Sequence, residues 1–391
     1  MSGWFPVRLH HLSSGMVAVL VGYTSSAAII FQAASSAGAS PAQLGSWMTA
    51  LGLGMGITTL WLSYYYRTPI LTAWSTPGAA LLITSLHQVP MAEAIGAFIG
   101  CSLLLTIAGF SGFFSRLMHR LPLSLAAAML AGILLRFGLN LFHALEQAPL
   151  LVGSMLLLFL LIKPRLPRYT LALVLLMGVI VAAGSHQLQP LPPMHWLQLE
   201  WTTPQFSWTG LFGIAVPLFM VTMSSQNLPG IAVLRSHGYQ QVPVSPLVGW
   251  SGLTSLLLAP FGCFALNLAA ITAALCMTEQ ADSDPRRRYL AACCAGALYL
   301  LTGVLGASVA GVLASLPSPL IMAVAGLALL ATLSNSLLQA LRDEADREAA
   351  MLTFLVTASG VQFAGIGSPF WGLVGGGAAL LAARLSITTR H

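Results

Sequence analysis

The sequence predicts an all-α polytopic membrane protein with fourteen transmembrane segments in two inverted repeats of seven, segments three and ten being discontinuous. Three observations carry that reading. Hydrophobic residues make up 57% of the 391 and charged residues 7%, with a mean hydropathy of +0.84, against about half and about a quarter in a soluble domain. Basic residues are confined to alternate loops. Two stretches rich in helix breakers recur at corresponding places in the two halves. With 16 Lys+Arg and 10 Asp+Glu, the chain cannot solvate a soluble globule of its size. Disordered, fibrous and nucleic-acid-binding classes are excluded with it. The net charge of +6 belongs to membrane topology.

A helix crosses the hydrocarbon with about 20 residues. By that ruler the first seven segments are 14–34, 43–63, 69–88, 91–113, 122–143, 148–163 and 168–185. After a polar, Pro-rich stretch at 186–207 come 208–235, 244–259, 261–277, 288–314, 317–338, 348–366 and 369–386. Twelve segments is the competing count, because several of these are short or broken by Pro and Gly. With the N-terminus inside, the inner loops hold 15 of the 16 Lys+Arg and the outer loops none. That bias sets orientation, and merging segments would put basic residues on the wrong side. Both termini are then cytoplasmic. Residues 1–185 form the first repeat, 186–207 a periplasmic linker and 208–391 the second repeat. The run from Ser14 to Ala34 has the flanks of a cleavable signal but the length of a retained span. The five cysteines lie in apolar stretches without metal-ligand spacing and read as small buried apolar residues.

Arg136, deep in segment five, is the basic residue outside the pattern. An intramembrane charge is a functional candidate; snorkelling outward or pairing with Glu146 is the structural alternative. An offset of 191 aligns Pro69 with Pro260 and Thr76 with Asn267, and Leu121-Pro122 and Ala131-Gly132 are echoed by Leu316-Pro317 and Ala325-Gly326 at 194–195. Since seven is odd, the second copy enters from the opposite side, as in many secondary transporters.

In segment three, residues 69–74 read as an extended run. Ser75-Thr76-Pro77 then supplies a hydroxyl N-cap with Pro at the first helical position, and the helix continues through Gly78. Segment ten is expected to do the same from outside, with Pro260–Leu266 descending, Asn267 as cap and 268–276 as helix. Two half-helix N-termini would meet near the midplane and form an anion site from backbone dipoles. An ordinary proline kink in each helix is the alternative. Segment eight carries Thr222, Ser224, Ser225, Gln226 and Asn227 in one polar cluster, which either lines the site or bonds helices together. Tyr23, Thr24, Ser25 and Ser26 hold the matching place in segment one. With Trp74, Phe261 and Phe264, the cavity would pair hydroxyl and amide groups with aromatic faces, and an amphipathic aromatic carboxylate would fit it. All acidic residues and histidines lie in loops or at segment ends, so no metal cluster, cofactor or intramembrane enzyme is expected. Glu93, opening segment four, is the nearest candidate for a proton role, although the helix dipole alone explains a Glu there.

The stretches TAWSTPGAAL (72–81) and SQNLPGIA (225–232) resemble the benzoate membrane transport family, the BenE-type benzoate/proton symporters, over nearly the whole chain. More distantly the pattern is similar to nucleobase and sulfate-type transporters, whose core domain (segments 1–4 and 8–11) moves against a gate domain (5–7 and 12–14). That resemblance implies substrate between segments three and ten, contacted by Tyr23, Thr76, Ser225, Gln226, Phe264 and Asn267. The nucleobase carriers place carboxylates in segments eight and ten, where this sequence has Ser225-Gln226 and Leu266-Asn267. The departure favours an anionic ligand and leaves the substrate's own carboxylate to carry the proton. The expectation is a proton-coupled carrier of benzoate or a related aromatic carboxylate in the bacterial inner membrane. Its partners are that substrate, protons and lipid, with the oligomeric state open, a homodimer included. A carrier of another small anion or neutral heterocycle, and a passive anion channel, are the rivals.

Overall fold

The computed structural model describes residues 7–87, 89–112, 123–167, 169–191, 193–364 and 366–388. Arg116, Arg120, Arg168 and Arg390 of the expected inner loops lie outside the described residues, as does the side chain of Arg384. The chain is a helical membrane protein. It begins with α1 (Leu9–Ser36) and α2 (Pro41–Tyr66), then the short strand β1 (Thr72–Trp74) and α3 (Thr76–Ser85). Next come α4 (Met91–Phe110), α5 (Leu123–Gln147), α6 (Pro149–Ile162) and α7 (Thr170–Gly184). The second half opens with α8 (Trp208–Ser236) and α9 (Val244–Leu258), followed by strand β2 (Leu266–Leu268) and α10 (Ile271–Cys276). It closes with α11 (Tyr289–Val304), α12 (Gly306–Ala314), α13 (Ser318–Ala340), α14 (Arg347–Ser359) and α15 (Ser368–Thr388).

Among the described residues six helices are long and apolar enough to cross a membrane by themselves, or seven if α11 and α12, bent by 65°, count as one span. The remaining expected segments include shorter apolar helices and the two broken elements β1–α3 and β2–α10. Segment thirteen stops as helix at Ser359, and a turn bridged between Phe363 and Ile366 follows it.

The two halves interlock instead of packing side by side. Helix α2 lies along α11, α4 along α9, and α5 along α13. Small residues let the backbones touch, as membrane helix pairs require when no hydrophobic drive pulls them together. A methyl on Gly52 would overlap Gly303, and one on Gly109 would overlap Gly249.

At the centre β1 pairs with β2 antiparallel, Thr72 opposite Leu268, Ala73 opposite Asn267 and Trp74 opposite Leu266. Extended backbone at membrane depth must find partners for every polar group. Side chains supply them on both outer edges. On α2, residues one turn apart receive alternate strand amides: Ile70 N–H donates to Ser63 Oγ (3.1 Å), Thr72 N–H to Thr59 Oγ1 (3.0 Å) and Trp74 N–H to Met55 Sδ (3.3 Å). Across the ladder, Leu266 N–H donates to Ser255 Oγ of α9 (2.8 Å) and Leu268 N–H to Asn227 Oδ1 of α8 (3.0 Å).

The ladder corrects two capping expectations. Ser75, not Thr76, caps α3: its Oγ accepts from Gly78 N–H (3.1 Å), Thr76 is the first helical residue and Pro77 the second. Asn267 caps nothing. It sits in the middle of β2, fully buried, its Oδ1 accepting from Ser75 N–H and its Nδ2 donating to the Leu268 carbonyl, both at 3.1 Å. Helix α10 starts at Ile271 after Ala270, with no side-chain cap. The strands begin 194 residues apart, so the offset of 191 that aligned Thr76 with Asn267 is out of register by three residues. The small Pro-containing motif fixed that alignment by coincidence of prolines, and a three-residue slip moves a cap into a strand.

Candidate functional site

A cavity of about 600 Å³ lies beside the ladder. On one side it is walled by α1, β1–α3, α8 and β2–α10, and on the other by α5, α6, α7 and α13. The N-terminal turn of α3 reaches it through Thr76 and Pro77, and the start of α10 through Ala270, Ile271 and Thr272. The α3 end brings the positive pole of its dipole to the wall.

Helix α8 widens to a π turn at Leu211–Ala215 and again at Met223–Asn227. A proline follows each two residues later, Pro217 and Pro229. A proline ring crowds the carbonyl four residues back, and a wider turn relieves that contact. The second π turn carries the polar cluster. Ser224, Ser225 and Gln226 face the cavity, while Asn227 turns away to bind β2. The Ser225 hydroxyl is returned to the Val221 carbonyl (2.5 Å) and the Ser224 hydroxyl to that of Met220 (2.7 Å).

Opposite, Tyr23 and Trp74 meet edge to face with ring centroids 4.8 Å apart, and Trp74 Nε1 donates to Ser26 Oγ (2.7 Å). Of the residues expected at the site, Tyr23, Ser25, Trp74, Thr76, Ser225 and Gln226 line the cavity. Five others do not. Ser75 is buried behind the wall, where it caps α3 and accepts from Thr222 Oγ1 (3.0 Å). Gly78 is buried against Leu218, and Asn227 and Asn267 hold the ladder. Phe264 is buried between Trp47 and Phe98, at centroid distances of 6.1 and 6.0 Å. Its aromatic place in the cavity is taken by Tyr299 and Phe159.

Glu93 does not reach the cavity. It accepts from Ser207 Oγ (2.9 Å), the residue that caps the start of α8. Arg136 does not pair with Glu146: among the described residues no carboxylate lies within 4.0 Å of it, and its one hydrogen bond goes to the Ala358 carbonyl at 3.4 Å.

Sequence reasoning missed the far wall. Thr332, Asn335 and Gln339 on α13, Thr170 on α7 and Lys163 at the end of α6 all line the cavity. The spacing 332, 335, 339 is one helical face, and it was the available signal. Among the described residues Lys163 is the charged residue of the lining, its Nζ 4.8 Å above the Phe159 ring. No carboxylate among the described residues lines the cavity.

One further polar cluster joins residues far apart in the chain. His10, His11 and Asp282 come together with their ligand atoms within 4.8 Å, although 271 residues separate the pair His11–Asp282. The Arg8 amide donates to His11 Nδ1 (3.0 Å), so the ring proton of the neutral imidazole is on Nε2, 2.8 Å from Asp282 Oδ2. Arg287 Nε is 3.9 Å from the same oxygen, and Arg288 Nε donates to the Asp282 carbonyl (2.9 Å). Burial pushes the Asp282 carboxyl up, but the Asp284 amide and the two histidines outweigh it and hold it down at about 2. Ringed by arginines, Asp282 ties the start of α1 to the loop after α10.

The fold is that of solved anion carriers. The chain superposes on the transmembrane domain of the cyanobacterial bicarbonate transporter BicA with a TM-score of 0.59 at 17% identity, covering 97% of this chain and 98% of that one. It superposes on murine Slc26a9, described as an anion transporter in the inward-facing state, with a TM-score of 0.62 at 14% identity, covering 98% and 70%. The chain belongs to the BenE family of benzoate membrane transport proteins, whose family model matches residues 6–382. With the family match, this makes the chain a membrane transport protein, not an enzyme. It is 50% identical to the inner membrane protein YdcO of Escherichia coli, over 94% of both chains. It is 37% identical to the benzoate membrane transport protein of Acinetobacter baylyi, over 92% of this chain and 91% of that one.

Proposed function

We propose that this protein is a secondary active transporter that carries benzoate or a related aromatic carboxylate across the bacterial inner membrane in symport with protons. The observation that carries the reading is the lining of the large cavity: aromatic faces, hydroxyls and amides around a helix N-terminus, with a lysine and no carboxylate among the described residues. An aromatic carboxylate needs an apolar slot for its ring and donors for one charged end. Tyr23 and Trp74 offer the slot; Thr76, Gln226 and the positive end of α3 offer the donors, beside the hydroxyls of Ser25 and Ser225, with the start of α10 opposite. The names of the family and of the relative from Acinetobacter point to the same substrate. With no acidic group on the wall, the substrate's own carboxylate is the natural proton carrier.

The layout that goes with this reading is fourteen segments in two inverted sevens, 1–185 and 208–391, joined by a periplasmic linker at 186–207, with both termini cytoplasmic. The antiparallel β1–β2 pair and the matched packing of α2 on α11 and α9 on α4 support it. Segments 1–4 and 8–11 then form the core and the rest the gate, with substrate between them. Lys163, which lines the cavity, lies on the cytoplasmic side of that topology.

Purified protein in detergent is expected to melt at higher temperature with benzoate, and less so with nucleobases or sulfate. Proteoliposomes should accumulate benzoate uphill when the outside is made acid. Stabilisation by sulfate or nucleobases alone, or passive equilibration without accumulation, would overturn the proposal.

Ser75 and Thr76 separate folding from binding. Ser75→Ala removes the cap and strands the buried Thr222 hydroxyl, a cost of about 2 kcal/mol seen as a lower melting temperature. Thr76→Ala should leave the melting temperature near that of the parent and raise the transport Km. Equal effects of the two substitutions on both measurements would refute this division.

A further inference from the structure

A second cavity, of about 340 Å³, lies at the other end of α3, between that end, α5 and the turn joining α14 to α15. Arg136 lines it together with His87, Thr84, Asn140 and Gln362. We infer that this chamber is a second binding site for a small carboxylate anion, with the Arg136 guanidinium as its counter-charge. The inference rests on the proposed transport of an aromatic carboxylate, and adds to it a receiving site on the opposite face of the membrane.

Four observations point there. The guanidinium is set within the apolar helix α5 and has no carboxylate partner among the described residues. Of its five donors, one has a partner among the described residues, in a long bond to the Ala358 carbonyl. An arginine held in an apolar setting normally has an anion or several carbonyls to satisfy it.

The chain also keeps space for it. Gly360 ends α14 in the left-handed conformation (φ +69°), and a Cβ there would overlap the Arg136 guanidinium. A glycine is required twice over, by backbone and by room, so the guanidinium's position is built into the turn.

Asn140 stands one helical turn from Arg136 on the same face of α5, and a carboxylate at the guanidinium would find its amide within the same chamber. Phe137, Ile83 and Pro369 give the chamber an apolar wall suited to a ring.

Lastly, the two cavities share their walls. Helix α3 lines the large one with Thr76 and Pro77 and the small one with Ile83 and Thr84, with His87 just past its end. Helix α5 lines the large one with Leu123, Ala127 and Leu130 and the small one with Arg136, Phe137 and Asn140. On both elements six residues, about 9 Å of helix, separate the nearest lining residues of the two cavities, Pro77 from Ile83 and Leu130 from Arg136. The small chamber is therefore the same core–gate crevice approached from the other face, and in the proposed topology that face is periplasmic.

The test measures benzoate half-saturation from each face in proteoliposomes of known orientation. Arg136→Gln is expected to raise it at least tenfold from the periplasmic face and less than twofold from the cytoplasmic face. Arg136→Lys should recover most of the loss, and Gly360→Ala, which pushes the guanidinium aside, should reproduce it. Equal effects at both faces, or none at either, would overturn the inference. Crystals of the parent protein soaked in 4-bromobenzoate give a readout that needs neither transport nor a variant. A bromine peak in the Arg136 chamber supports the site, and a peak in the large cavity alone, or none, overturns it. Failure of the parent to move benzoate, with bromine bound beside Arg136, would instead count against the proposed function and leave the second site standing.

Discussion

Asn267→Asp is expected to destabilise the protein by ~3–5 kcal/mol, the range for a buried charge left without a partner. The asparagine is fully buried in β2 and uses both ends of its amide, one as acceptor from Ser75 N–H and the other as donor to the Leu268 carbonyl. Aspartate keeps the first bond. Its second oxygen then faces a carbonyl oxygen at the distance where a donor stood. Taking up a proton restores a donor, so the defect should shrink in acid. Asn267→Leu is the control: it loses both bonds but buries no charge, and Ser75 N–H still reaches the Ala265 carbonyl (3.1 Å). Thermal unfolding in detergent should rank parent, Asn267→Leu and Asn267→Asp in falling order at pH 7.5. If the aspartate variant melts with the parent, the central ladder does not hold the fold as described.

Gln226→Glu is expected to fold and to lose about a hundredfold in benzoate affinity at neutral pH. Gln226 is half-buried on the π turn of α8 and lines the large cavity. A glutamate of the same shape would sit near the substrate carboxylate. At about 5 Å and an effective dielectric of about 20, the repulsion is roughly 3 kcal/mol. Neutralising either carboxyl removes it, so binding should return in part as the pH is lowered. Normal benzoate uptake by Gln226→Glu at pH 7.5 would remove Gln226 from the substrate's surroundings.

The sequence made the apolar helices legible because hydropathy acts over twenty residues, and small errors average out. It also made legible the break at Ser75-Thr76-Pro77 and the polar run 222–227, since both are local. What it hid was relational. Asn267 and Asn227 read as site residues, yet both belong to the ladder, because a strand buried in apolar surroundings draws on any amide that reaches its edge. Met55, Thr59 and Ser63 serve the other edge. Their four-residue spacing was visible, but its meaning depends on a strand lying alongside. Phe264 is apolar in either place, and nothing in its neighbours tells a core ring from a cavity ring. Thr332, Asn335 and Gln339 sit near the end of a span, where polar residues pass for solvated ones. His11 and Asp282 meet across 271 residues, beyond the reach of any spacing rule.

The shared ladder has a consequence for how the chain is made. β1 emerges from the ribosome 194 residues ahead of β2. At ~5–20 residues per second that is roughly 10–40 s of synthesis. Through that interval the edge of β1 that will meet β2 has no mate, and hydrocarbon offers no water to stand in for one. Met55, Thr59 and Ser63 can hold the opposite edge, since they are inserted first. The newborn first half is thus a structure with one side of a seam open, vulnerable to pairing with the wrong strand until its own second half arrives to close it.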